Sequence, residues 1–263
     1  MLLWKSWRDL RIAFFIGLGW LALLAILVIQ YALRTPADSS TIWATPDKTF
    51  GLVVGFVALQ TAFLTVIAFA IGTLGIGREI AGGSGSFLLT CPISRGYYVW
   101  TEWFSGLAAL GALLGFSIVG LWLAIHFHAI RLSSFERSGN TTTWHTWIMA
   151  SLPFGVTLIH VLCAFLFLAL IFGITHLGTV AFRHATAGLL FSIGFFVAWL
   201  VVMEILRHNY PGLAPPDLLL RPYTGGFDHL RLIPGFTSSI AIRLAILPLF
   251  PFAAQLFLRR TEV

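Results

Sequence analysis

The chain is 263 residues long, 58% hydrophobic and only 10% charged, with a mean hydropathy of +0.91 and a formal charge of +6. A soluble domain carries about 25% charged residues and a disordered chain far fewer apolar ones, so both classes are excluded and a helical membrane protein remains. At about 20 residues per spanning helix plus connections, the length holds about six spans and leaves no room for an ATPase domain.

The basic excess, 16 Lys and Arg against 10 Asp and Glu, is scattered over loops and tails rather than gathered on one helix face. It points to membrane lipid headgroups as partners and not to nucleic acid. Residues 1–11 place Leu3, Trp7 and Leu10 at helical spacing, with Lys5 and Arg8 on other faces. The segment reads either as an N-terminal interfacial helix or as a plain basic tail. The apolar run 12–33 is longer than a secretory core of about 7–15 residues, and no small-residue cleavage site follows. It reads as a retained span.

Five further apolar segments follow, at 50–77, 103–126, 147–172, 185–206 and 240–258. The expected fold class is therefore an all-α integral membrane protein: one transmembrane domain over 1–263, with six transmembrane helices, the interfacial helix and a short cytoplasmic helix within 78–98. That last stretch is polar and Gly-rich, with too many breakers to cross a bilayer. The long connection 207–239 holds Pro211, Pro215, Pro216, Pro222 and Pro234, so it supports short helices such as Asp217 to Leu220 but no span.

An even number of spans puts both termini on one side. Lys and Arg divide equally between the two sides of such an arrangement, and only the first span, preceded by Lys5, Arg8 and Arg11 and followed by Arg34 and Lys48, favours a cytoplasmic N-terminus. Most tryptophans, including Trp4, Trp7, Trp103, Trp122 and Trp147, fall near span ends, where amphipathic rings prefer the headgroup level. Gly51 with Gly55, and Gly111 with Gly115, form small-residue pairs of the kind that lets helices approach closely.

Hydrolytic and nucleotide-binding signatures are missing. The Gly-rich run 81–86 lacks the lysine of a phosphate-binding loop, and no H-E-x-x-H or G-x-S-x-G occurs. Cys91 and Cys163 fall in a polar connection and an apolar run, which does not suit a disulfide, and neither has metal-ligand spacing. His126 and His128 point to different helix faces, and His145, His208 and His229 fall in outer connections. His160, about 13 residues into the fourth span, is expected near the midplane, as a functional group or as an imidazole bonded to a neighbouring helix. Gln60 in the second span and Glu204 at the outer end of the fifth read likewise as path-lining groups or as helix-to-helix and interfacial contacts. No second histidine matches His160 in depth, as bis-histidine haem ligation would require.

The most informative segment is R-E-I-A-G-G-S-G-S-F-L-L-T-C-P-I-S-R, from Arg78 to Arg95. It resembles the first cytoplasmic connection of the permease subunits of type-two ABC exporters, which commonly reads E, three residues, G-[ST], a short leucine-rich helix and [ST]-x-P-[IV]-[ST]-R. Glu79, Gly83, Ser84, Phe87, Leu88, Leu89, Thr90, Pro92, Ile93, Ser94 and Arg95 occupy those places in order. One departure is Glu102, at a position where the family often has lysine. On physical grounds, a short helix capped by Ser84 or Ser86 and stopped by Pro92 presents Phe87-Leu88-Leu89 as an apolar ridge. That ridge suits either a partner's groove or the membrane surface.

The resemblance implies the permease of an ATP-driven exporter in a bacterial cytoplasmic (inner) membrane, multi-pass with both termini cytoplasmic. The partners it implies are ABC ATPase (nucleotide-binding) subunits and a second permease copy or paralogue, making a permease dimer. ATP and Mg would be bound by the partner ATPase, with no catalytic residue, metal or cofactor in this chain. Other classes open to the sequence are a structural or redox subunit binding haem or quinone through His160, and a secondary transporter that works without ATP.

Overall fold

The computed structural model describes residues 2–33, 40–43, 46–74, 79, 94–126, 131–138, 141–148, 154–209, 223–224, 231–232 and 236–259. In chain order these form α1 (Leu2–Leu33), β1 (Ser40–Trp43), α2 (Pro46–Thr73), α3 (Arg95–His126), β2 (Arg131–Ser138), β3 (Thr141–Ile148), α4 (Phe154–Phe182), α5 (Ala185–Asn209), β4 (Tyr223–Thr224), β5 (Arg231–Leu232), α6 (Phe236–Ile246) and α7 (Leu249–Arg259). Five segments among these residues are long and apolar enough to cross a membrane: Val53–Thr73, Gly96–Leu123, Thr157–Phe182, Ala185–Ile205 and Ile240–Leu258. The protein is a helical, multi-pass membrane protein.

The helices alternate in direction. Lys5 of α1 meets Tyr98 of α3 at 3.0 Å, and Gly17 packs on Leu113, so these two helices run parallel from the end that carries the N-terminus. At that same end Thr179 of α4 donates to the Gly72 carbonyl of α2 at 3.2 Å, so α2 and α4 both return there. Arg183, at φ 52°, turns the chain tightly into α5. A Cβ at Gly188 would lie 2.5 Å from the Thr179 backbone, which is why the α4–α5 hairpin closes over a glycine. Gln255 of α7 lies against Gly96, bringing the last helix back to the N-terminal end as well.

α4 is the hub, packing on α2, α3, α5, α6 and α7. More than half of its span is buried (56%), against 11% for α5, whose Leu190, Val197, Trp199 and Ile205 face outward as lipid-facing apolar groups do. The core runs through Leu64, Ile71, Leu110, Leu113, Leu114, Leu166, Leu168 and Phe172. Hydroxyls inside the spans are satisfied locally: Thr61, Thr175 and Ser192 donate to the carbonyl four residues earlier at 2.7–2.8 Å. Such back-bonding removes the penalty of a bare hydroxyl in an apolar medium.

Several expectations need correction. The separate interfacial helix 1–11 and span 12–33 form one continuous helix, because no Gly or Pro precedes Gly17 to break it. The chain is not purely α: β1 pairs parallel and β2 antiparallel with β3, and β4 pairs with β5. Trp147 and Ile148 belong to β3, so the fourth long helix starts at Phe154 rather than at 147. α3 starts at Arg95, two turns earlier than the apolar run suggests. The last span is broken at Leu247-Pro248, where proline lacks an N–H and its ring crowds the preceding turn. Gly51, Gly55 and Gly115 have open space where a Cβ would stand, and the close approaches fall instead at Gly17, Gly72, Gly96, Gly106, Gly173 and Gly188; Gly111 alone of the expected pairs touches a neighbour, Phe165. The expected short helix at 217–220 lies outside the described residues.

Candidate functional site

At the N-terminal end of the bundle, charged side chains from three segments come together. The Lys5 ammonium pairs with the Glu79 carboxylate and donates to the Tyr98 hydroxyl at 3.0 Å, and that hydroxyl donates to Glu79 Oε2 at 2.6 Å. Lys5 Nζ also stands 4.8 Å from the centroid of the Tyr98 ring, a cation–π distance. Each of the three groups thus contacts the other two. Both charged side chains are largely buried, 23% exposed for Lys5 and 14% for Glu79, so solvent screens the pair less than an ordinary surface bridge.

Geometry follows from the helices. Lys5 lies in the first turns of α1, Tyr98 in the first turn of α3, and Glu79 just beyond α2, at the start of the segment singled out in the sequence. The other end of that segment is anchored too. Ser94 accepts from the Tyr97 N–H through its side chain at 3.3 Å, and its carbonyl accepts from the Tyr98 N–H at 3.2 Å, making Ser94 the N-cap of α3, of which Arg95 is the first residue. Gly83, Ser84, Phe87, Leu88, Leu89 and Pro92 lie outside the described residues.

Beside this triad, α1 to α4 leave a narrow, partly open crevice lined by Ser6, Asp9, Leu10, Ile71, Leu74, Glu102, Phe172 and His176. Glu102 is buried (8% exposed), and Ser105 bridges its backbone to Ser6, donating at 3.0 Å to either oxygen. His176 stacks on Phe172 with centroids 5.8 Å apart.

The three expected path residues do not join this end. Gln60 is fully buried in α2, and neither atom of its amide has a hydrogen-bond partner among the described residues. It stands 13 residues, about 20 Å, from the end of α2. His160 is buried as well, but near the opposite end of α4: six residues after Phe154 and in the first turn of the apolar span, not at the midplane. The depth assigned from sequence assumed a helix from Trp147, which β3 prevents. Glu204 is exposed near the far end of α5.

Sequence reasoning flagged Glu79 and Ser94 and missed Lys5, Tyr98 and His176 as site residues. Lys5 was legible only as part of a basic N-terminus, and His176 sits in an apolar run without a motif. Among the described residues no group of three or more His, Cys, Asp or Glu has the geometry to hold a metal ion. No protein-family model, curated protein or solved structure matches the chain.

Proposed function

We propose that this chain is the membrane-spanning permease subunit of an ATP-driven ABC transporter of the type-two exporter kind. In this reading α1 is a sixth crossing beside the five apolar spans. Its 32 residues extend about 48 Å, enough for a hydrocarbon core of about 30 Å with about three turns beyond it. The alternation of helix directions then leaves both termini on the cytoplasmic face, in a bacterial inner membrane.

The observation that carries the reading is the anchoring of the Glu79–Arg95 segment at both ends. Glu79 is tied to α1 through Lys5 and to α3 through Tyr98, while Ser94 caps α3. A partner that grips the Phe87-Leu88-Leu89 ridge therefore pulls on the first turns of two spanning helices at once. ATP binding in separate ATPase subunits closes them against each other and moves this element. The bundle shifts between access states because one state fits the closed ATPases better, with no chemistry in the permease itself. Two permeases pair to form the path, and Gln60, a buried amide with no hydrogen-bond partner among the described residues, lines it.

The test is co-expression with an ATPase encoded beside this chain. Stable co-purification of the two, with hydrolysis that responds to reconstitution, supports the assignment. A permease that purifies alone and moves substrate on an ion gradient without ATP contradicts it.

A further inference from the structure

We propose that the crevice between Ser6, Asp9, Glu102 and His176 binds a primary ammonium group, and that its ligand is the headgroup of an aminophospholipid. The inference goes beyond the transporter reading and does not depend on it. Depth is the first argument. Glu102 lies six residues inside one end of its span and His176 six residues inside the matching end of another. Both are thus about 9 Å from the span ends, at the level where headgroups meet acyl chains.

Size and chemistry agree. The heart of the crevice has room for one group the size of a water molecule, which is the size of an ammonium and smaller than a trimethylammonium. His176 is 2% exposed and its Nε2 has no hydrogen-bond partner among the described residues, leaving a buried ring nitrogen that accepts a hydrogen bond when the imidazole carries its proton on Nδ1. Asp9, Glu102 and Ser6 line the same crevice. An ammonium brings three donors to this set of acceptors and a charge complementary to two carboxylate side chains. Two carboxylates repel an anion, and the groups lack metal-site geometry. The neighbouring charges complete the match: Arg8 Nε stands 3.7 Å from Asp9 on an exposed side chain, where it meets the phosphate that such a lipid carries two carbons from its ammonium. Leu10, Ile71, Leu74 and Phe172 supply an apolar wall.

The experiment uses the purified full chain in detergent, titrated with short-chain phosphatidylethanolamine, short-chain phosphatidylcholine or free phosphoethanolamine, and followed by thermal unfolding. The ethanolamine lipid is expected to protect at concentrations about tenfold lower than the choline lipid, and the free headgroup to protect far less than its lipid. Glu102→Gln and His176→Phe should each erase that preference. Asp9→Asn, a change at a partly exposed site that keeps the fold, should weaken it about tenfold. Equal protection by the ethanolamine and choline lipids, or a preference unchanged in Asp9→Asn, means that the crevice holds water only and overturns the proposal. Equal protection by free phosphoethanolamine and its lipid overturns the lipid source.

Discussion

Lys5→Met keeps the apolar stem of the side chain but removes its charge, leaving Glu79 with the Tyr98 hydroxyl alone within the triad. An exposed ion pair contributes about 0.2–1 kcal/mol, whereas removing one partner of a fully buried pair costs about 3–5 kcal/mol. With side chains 23% and 14% exposed, the Lys5–Glu79 pair falls between these limits, so each single loss should cost about 2 kcal/mol. Because the two substitutions remove the same contact, the double variant Lys5→Met/Glu79→Gln should cost about 1 kcal/mol less than the sum of the singles. Reversible unfolding in mixed micelles, run as a double-mutant cycle, measures this directly. Tyr98→Phe should reduce the coupling further, since it deletes the hydroxyl that contacts both charges at 3.0 and 2.6 Å. Effects additive to within about 0.3 kcal/mol would refute the idea that the triad acts as a unit.

Other outcomes can be checked in the same system. Gly188→Val drives side-chain atoms into the Thr179 backbone and should destabilise by about 1–3 kcal/mol or more, whereas Gly194→Ala, with nothing within 4 Å, should be neutral or slightly stabilising in thermal melts. Gln60→Leu removes a buried amide with no partner among the described residues, so stability should hold or rise by about 1 kcal/mol while transport falls; a clear loss of stability would show that the amide bonds between helices. Cysteine labelling should place residues 5 and 94 on one face of the membrane and residue 204 on the other. Labelling of all three from one side would break the alternating arrangement.

The spans were legible because long apolar runs admit few alternatives in a chain with so little charge. Their ends were not. β3 begins T-T-T-W-H-T-W-I after Gly139-Asn140, a two-residue turn signal followed by β-branched and aromatic residues, yet its last two side chains read as the start of the next apolar run. That error also moved His160 to the wrong depth. The early start of α3 carried a signal in Ser94, whose role as a cap is local and readable. The triad is another matter: Lys5 and Tyr98 are 93 residues apart, and no spacing rule joins them. Glu79 was singled out only through a family resemblance. His176 and Glu102 become a site only when α1, α2, α3 and α4 converge, which is information held in packing and not in any one segment.

The most direct test of the central claim is Leu88→Asp in the complex with its ATPase, read as subunit retention and as transport-coupled ATP hydrolysis. A leucine buried in a partner's groove contributes about 1.5–3 kcal/mol, and a carboxylate in its place adds a desolvation cost. The variant should therefore insert normally in the membrane but release the ATPase or leave its hydrolysis uncoupled. Binding and coupling equal to those of the unmodified chain would contradict the account and assign the ridge to the membrane surface.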